Sequence, residues 1–300
     1  MINYGKRYVY TVTSLVPYGG VKIAQNVDIK PEDIDWNEMW NEALKKVPKK
    51  DNKQRWDNIA QKFNEWMKTD DYPQNLAEKI HKEPDYTVLD LGCGNGSVTL
   101  RVAEKVKHVT AVDMSSEMLK LVKKNATERG IENLRYIQSS VENLDPEAVG
   151  QHDVVVASRS LGGIYDLKDE LKKVDSLAKK YVYMTIWGAN AQDFEKKLCS
   201  VMGAEYHQHP DYMYVCNMLY QLGIYANVEI LNCESRPMYC DLEDAVDRCS
   251  WKLGWNTKKI EDEEKEKLEN FLKTNAIKKE NGTLDYPTNN PNWVLIWWKK

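Results

Sequence analysis

From residue 87 onward, apolar runs of strand length alternate with segments whose apolar positions recur every three or four residues. TVLDLG (87–92) leads into a helical pattern over 97–106, and HVTAVDM (108–114) leads into another over 115–130. Ser115 or Ser116 supplies the N-cap of that second helix and Gly130 its stop. LRYIQSS (134–140) and DVVVAS (153–158) read as further strands. A helix over 167–180 sets Leu167, Leu171, Val174 and Leu177 on one face, and YVYMTIW (181–187) is the fifth strand. Strands alternating with helices predict a parallel sheet covered on both faces. Beyond 187 the alternation is irregular, with helices over 191–202, 211–222, 241–253 and 261–275 and a strand over 226–231. Asn281-Gly282 signals a hairpin turn, and WVLIWW (293–298) is a late strand. Those two strands bring the sheet to seven, the last antiparallel. The fold class is α/β, a doubly wound, mostly parallel seven-stranded sheet.

Upstream of the alternation the pattern differs. Residues 7–29 form two β-rich runs around Pro17-Tyr18-Gly19-Gly20, which predicts a hairpin. From Trp36 to Ile80 the pattern is helical, and Trp56, Ile59, Ala60, Phe63, Trp66 and Met67 recur at three- and four-residue steps as a buried stripe. Pro84-Asp85 ends that region.

Composition changes this picture only by exclusion. The chain of 300 residues is 42% hydrophobic and 29% charged, with a formal net charge of −4 and interleaved Lys and Glu. It lacks the basic footprint that a nucleic-acid partner requires. No apolar run has signal-peptide character or bilayer-spanning length, so the expectation is a soluble, cytoplasmic protein away from membranes. The six cysteines include no C-x-x-C pair and no histidine at zinc spacing, which reads as reduced thiols and no metal.

The candidate chemistry lies at the end of the first strand, in VLDLGCGNGSVTL (88–100). Its glycines, Gly92, Gly94 and Gly96, follow an acid, Asp90. The dinucleotide fingerprint places its third glycine one residue later, where Ser97 stands, and no Gly-Lys-Ser/Thr ending marks a P-loop. A second acid, Asp113, ends the next strand, where a carboxylate can accept both ribose hydroxyls. A carboxylate at Asp90 would repel a pyrophosphate and attract an ammonium. A nucleoside carrying an amino acid in place of phosphates, S-adenosylmethionine, fits both acids; a nicotinamide dehydrogenase fits the glycine spacing poorly.

With VTAVDMSSEML (109–119) the stretch resembles the first two motifs of class I S-adenosylmethionine-dependent methyltransferases, over roughly residues 85–188. The hairpin has no counterpart in the family's core fold; together with the lid helices that the resemblance implies it makes up residues 1–83, followed by a cofactor-binding α/β core over 84–188 and a helical cap insertion over 189–224. Residues 225–300 would complete the sheet with inserted helices. By position the resemblance assigns Asp90 to the methionine amino group through a water, Gly92, Gly94 and Gly96 to backbone approach by the methionine and ribose parts, Asp113 to the ribose hydroxyls and Met114 to the adenine face. Ser140 stands where the family usually has an acid for the adenine amino group, with Val141 beside it, and Ser158 would border the reacting methyl. Trp56, Phe63 and Tyr72 are expected on the lid surface facing the site.

Methyl transfer from a sulfonium is an in-line displacement in which alignment supplies most of the rate, so no catalytic base is assigned. The stretch Ala157-Ser158-Arg159-Ser160 has neither the tetrad of DNA amino-methyltransferases nor a Pro-Cys nucleophile nor carboxylates for a divalent ion. The reading is a metal-independent enzyme acting on a nitrogen, oxygen or sulfur of a small molecule. A protein side-chain methyltransferase and a non-catalytic cofactor-binding subunit are the alternatives. Arg159 is either a clamp for a substrate carboxylate or phosphate or one half of a structural salt bridge. Residues 206–225 hold five tyrosines, of which Tyr206, Tyr212, Tyr214 and Tyr220 are pocket candidates. The hairpin is left with two roles, covering the site or forming a homodimer contact.

Overall fold

The computed structural model describes residues 30–47, 53–233, 238–253, 261–286 and 292–300; the expected hairpin over 7–29 lies outside them. Helices α1 (Trp36–Lys46), α2 (Lys53–Trp66) and α3 (Tyr72–Lys79) precede β1 (Thr87–Leu91). Then follow α4 (Thr99–Ala103), β2 (His108–Asp113), α5 (Ser116–Glu128), β3 (Leu134–Gln138), α6 (Pro146–Val149) and β4 (His152–Ser158). After α7 (Leu167–Leu177) and β5 (Ala178–Trp187) come α8 (Asp193–Met202), α9 (Tyr212–Gln221) and β6 (Asn227–Leu231). The chain continues through α10 (Leu242–Lys252), α11 (Asp262–Asn275), the short pair β7 (Ile277–Lys278) and β8 (Leu284–Asp285), and β9 (Trp293–Lys299).

Among the described residues the main sheet has seven strands in the order β3-β2-β1-β4-β5-β9-β6. β1 pairs in parallel with β2 on one side and β4 on the other, and β9 runs antiparallel to both β5 and β6. The chain therefore winds outward from β1 to β3, returns, and winds outward again from β4. That reversal puts the crevice where ligands bind in open α/β sheets beyond the carboxyl ends of β1 and β4.

Side-chain alternation fills both faces, which is why the strands read as continuous apolar runs. Leu89, Leu91, Val155, Ala157, Val182 and Met184 point into one cluster with α7, α9 and Trp40 of α1. Val88, Val154, Val156, Tyr183 and Leu295 point into the other, with Leu76 of α3 and Val102 of α4. The N-terminal helices thus straddle the sheet. The helices of 189–224 also separate: Val215, Met218 and Leu219 of α9 join the main core, whereas Phe194 and Leu198 of α8 pack with α10 and α11 in a satellite cluster.

Element types follow the sequence pattern, and the departures at their ends have local causes. The helix expected over 97–106 stops at Ala103 because the Asn133 side chain ties off the carbonyls of Ala103 and Val106, each at 2.9 Å. The helix expected to reach 180 yields at Ala178, which pairs with His152 of β4 instead. β3 ends at Gln138, before the expected Ser140, and the Ser139 amide makes the last bond to β2, to the carbonyl of Asp113 at 3.1 Å.

α7 has no side-chain cap of its own, and α1 supplies one. The Asn37 and Asn41 amides donate to Asp166 Oδ1, while their oxygens accept from the Lys168 and Asp166 amides. Between them Trp40 is fully buried and its Nε1 donates to the Ile164 carbonyl at 2.8 Å. Trp40→Ala removes both the packing and the hydrogen bond, and should lower unfolding stability by about 3–5 kcal/mol in urea titration.

Candidate functional site

β1 delivers the chain into a tight turn whose three glycines all have positive φ, +76° at Gly92, +55° at Gly94 and +84° at Gly96. They serve different ends. A Cβ at Gly92 would lie 2.4 Å from Ser160 Cβ, and one at Gly96 would lie 2.4 Å from Val122 Cγ2. These two let the turn pack against the segment after β4 and against α5. A Cβ at Gly94 would meet only Phe63 Cε1, at 3.7 Å, so its remaining surroundings are open. That is the position where a ligand can approach the backbone.

Two carboxylates flank the turn. Asp113, at the end of β2, accepts the Gly94 amide on Oδ2 at 2.8 Å and the Ser115 amide on Oδ1 at 2.9 Å. Burial nonetheless leaves its pKa above the ordinary value. Asp90 is 2% exposed and takes one hydrogen bond, from Thr99 Oγ1 to Oδ2 at 2.6 Å. Its Oδ1 is buried without a partner. Burial, opposed by Thr99 and reinforced by the charge of Asp113, pushes Asp90 up to about 6. Cys93 between them is likewise pushed up by burial, so it stands as a thiol and not as a nucleophile.

At the end of β4 the Ser158 hydroxyl meets the Tyr72 phenol at 2.8 Å, and the same phenol meets Thr185 Oγ1 of β5 at 2.5 Å. Burial raises Tyr72 to about 12, so the phenol stays protonated at neutral pH. The next residue, Arg159, has φ +56°, a conformation that a long side chain adopts only under constraint. Its amide donates to Thr185 Oγ1 at 3.0 Å. Its guanidinium lies over the rings of Tyr72 and Trp293, 4.0 and 5.2 Å from their centroids, and pairs with Asp70 at 3.4 Å.

α2 closes the other side. Asn64 Oδ1 accepts from both Asn95 of the glycine turn and Asn125 of α5, each at 3.0 Å. Asp57 accepts from the Ser115 hydroxyl at 2.6 Å and the Glu117 amide at 3.2 Å, so it helps cap α5. Trp56 and Phe63 pack with Ala60, Met118 and Leu121. From outside, Trp251 of α10 meets Trp56 and Trp66 at 5.7 and 6.1 Å. Asn64, Asp57 and Asp70 were not singled out by their sequence setting, because each meets partners far along the chain.

The structure thus brings Asp90, Gly92, Gly94, Gly96, Asp113, Ser158, Arg159, Phe63 and Tyr72 to one end of the sheet, around β1, β2 and β4. Tyr72 sits deeper than a lid surface residue would, fully buried on its two hydroxyl partners. Met114 is half-buried after β2, and its carbonyl accepts from Gln138. Ser140 accepts the Asn143 amide at 3.3 Å, and Val141 is buried in the main core. Tyr206 is half-buried with its hydroxyl 3.4 Å from Gln192 Oε1, and the Tyr212 ring packs against the main core beside α9.

Comparison with known proteins adds to this. The profile of a family described as "Methyltransferase domain" matches residues 82–274. An uncharacterized protein of Haemophilus influenzae is 31% identical over 249 residues, 81% of this chain and 88% of that one. The ubiquinone biosynthesis O-methyltransferase of Cronobacter sakazakii is 33% identical over 121 residues, 40% of this chain, and the match spans about half (48%) of that enzyme. Among solved structures, a Bacillus halodurans protein aligns with TM-score 0.51 at 16% identity, covering 76% of this chain and 98% of that one. The YcgJ protein of Bacillus subtilis aligns with TM-score 0.50 at 16% identity, covering 76% and 97%. Both share the fold.

The polar latch between α2 and the turn has a measurable consequence. Asn64→Leu leaves Asn95 and Asn125 short of an acceptor without emptying the helix face. Amide exchange in α2 should then speed up by about tenfold while exchange in β1 and β4 is unchanged.

Proposed function

Since the chain belongs to the class I S-adenosylmethionine-dependent methyltransferases, we propose that it transfers the methyl group to a nitrogen, oxygen or sulfur of a small molecule, by positioning and without a metal. The observation that carries the cofactor assignment is the buried, unpartnered Oδ1 of Asp90. A lone carboxylate oxygen at the crevice between β1 and β4 is costly unless a cation completes it, and an amino acid's ammonium group has the required charge and donors. The open side of Gly94 supports the same reading, as does Asp113, whose oxygens accept the Gly94 and Ser115 amides and retain acceptor capacity for hydroxyls.

In this reading Asp90 and the glycine turn hold the methionine part, with Gly94 giving backbone approach. Asp113 takes the ribose hydroxyls, and Met114, Ser140 and Val141 border the adenine. When bound, S-adenosylmethionine supplies a methyl already activated by its sulfonium, so what the protein must add is alignment and exclusion of water. Ser158 and Tyr72 fix the floor beside the reacting methyl. Tyr72, neutral and held by two hydroxyls, orients and does not act as a base. Phe63 on α2 faces Gly94 and screens the turn from solvent. Support for a small-molecule acceptor comes from similarity to an O-methyltransferase of ubiquinone biosynthesis, over 121 residues. Arg159, Tyr206 and Tyr212 are the residues assigned to the acceptor side. Among the described residues no helix is long and apolar enough to cross a membrane.

Asp90 gives the decisive test, because its two roles oppose each other. A carboxyl whose folded pKa is raised to about 6 loses stability as pH rises through that value. Asp90→Asn should therefore stabilise the ligand-free protein at pH above about 7 by on the order of 1–3 kcal/mol, a gain that vanishes below pH ~4. The same change should weaken S-adenosylmethionine binding in isothermal titration by at least about tenfold. In the wild type, affinity should fall as pH is lowered through about 6, because the protonated carboxyl no longer attracts the ammonium. Undiminished binding by Asp90→Asn would remove the assignment.

A further inference from the structure

Arg159 directly follows β4, and the structure leaves its guanidinium incompletely used. Its side chain is 21% exposed, yet its guanidinium, with five N–H donors, has two polar contacts, both long. Nη1 reaches Asp70 Oδ2 at 3.4 Å and Nη2 reaches the Met67 sulfur at 3.5 Å. A well-made guanidinium–carboxylate pair is bidentate and closer to 2.8 Å. Asp70 is held elsewhere, since its Oδ1 accepts the Tyr72 amide at 3.0 Å and starts α3. The carboxylate therefore neutralises Arg159 from a distance without saturating its fork.

Every other feature around Arg159 fixes the fork in place. Its left-handed φ and its amide bond to Thr185 set the direction of the side chain, and the rings of Tyr72 and Trp293 support the guanidinium plane. Trp293 is itself stacked on Trp187 at 4.2 Å. Strain in the backbone and a rigid aromatic support are ill-explained by one loose ion pair. They are suited to a planar donor array kept ready for an oxyanion.

We propose that the acceptor carries an anionic oxygen group, a carboxylate or a phosphate, that Arg159 binds in a bidentate manner, with Asp70 as the resident counter-ion it competes against. The inference rests on the methyltransferase reading of this site, since Arg159 directly follows Ser158 at the crevice. Arg159 is then a specificity residue that selects and orients the acceptor, and Asp70 sets how strongly an anion must bind to win the fork.

The test uses the full chain saturated with S-adenosylhomocysteine and titrated with benzoate, phenyl phosphate, inorganic phosphate and uncharged benzamide. The readouts are the Arg159 Nε–H resonance of arginine-labelled protein and isothermal titration. Benzoate or phenyl phosphate should shift the Arg159 resonance saturably, with an affinity that falls as salt rises, and benzamide should not. Which of the two binds more tightly separates carboxylate from phosphate, and inorganic phosphate reports whether the ring contributes. Arg159→Lys should weaken anion binding by about tenfold through loss of the fork. Asp70→Asn should strengthen it several-fold, the reverse of what a merely structural pair would give.

An unmoved Arg159 resonance up to tens of millimolar probe, equal affinity of Arg159→Lys, or weaker binding by a folded Asp70→Asn each overturns the inference. If Asp70→Asn does not fold, the wild-type and Arg159→Lys titrations decide alone. Failure of S-adenosylhomocysteine to bind the wild type would instead sink the methyltransferase-site reading itself, so the two failures are told apart in the first titration.

Discussion

A single buried charge organises this end of the molecule. Asp90 sits on β1, an interior strand with β2 and β4 paired on either side, and one of its oxygens has no partner. Protein interiors rarely tolerate such a group, because desolvation raises its free energy with nothing to offset it. The surroundings are built to hold it there all the same. Thr99 secures the other oxygen, and the glycine turn folds tightly enough that Gly92 and Gly96 leave no room for a Cβ. Asp113 is tied into that turn through the Gly94 amide. Stability is spent where a ligand can restore it, which is the usual relation between a strained site and its function.

The sheet reversal gives this charge its place, and the helices around it share out the covering. α2 reaches across the turn through Asn64 and Asp57, so the elements that would enclose the cofactor are joined by hydrogen bonds and not by apolar packing alone. α3 starts at Tyr72, whose hydroxyl closes the floor beyond β4 and β5. α10 leans on α2 through Trp251, and Lys62 of α2 is ion-paired with Asp247 of α10. An α2 that lifts away would break polar contacts to the turn on one side and aromatic contacts to α10 on the other. Opening α2 and loosening the satellite helices are thus linked by direct contact.

Much of this was legible in the sequence, for a definite reason. Strand and helix signals are local and periodic, so the order of elements and the seven-stranded sheet follow from residues such as Leu89, Val155 and Val174. The motif is also local, since its glycines and Asp90 lie within seven residues of one another. What stayed hidden depends on contacts between distant segments. Nothing near Asn133 announces that it will end α4, and Asn64, Asp57 and Asp70 look like the polar face of any surface helix or turn. The glycines are equivalent as letters, and only the neighbours of each separate Gly94 from the two that serve packing.

Arg159 shows where the two levels meet. Read as a sequence, it supports both a substrate clamp and a structural salt bridge. The structure supplies the salt bridge, yet a 3.4 Å pair to a carboxylate already engaged by the Tyr72 amide does little to hold two segments together. The two readings are therefore not exclusive. A counter-ion close enough to neutralise a half-buried guanidinium, and too far to saturate it, lets the site remain folded when empty and responsive when filled. The same logic governs Asp90, with the sign reversed. β1 holds a carboxylate with one unpartnered oxygen, and the segment after the neighbouring β4 holds a guanidinium only loosely paired with Asp70. A methyl donor with an ammonium group and an acceptor with an oxyanion would each satisfy the charge beside it. Their reacting atoms would then be brought to the same place, next to Ser158, by electrostatics set on the two neighbouring strands.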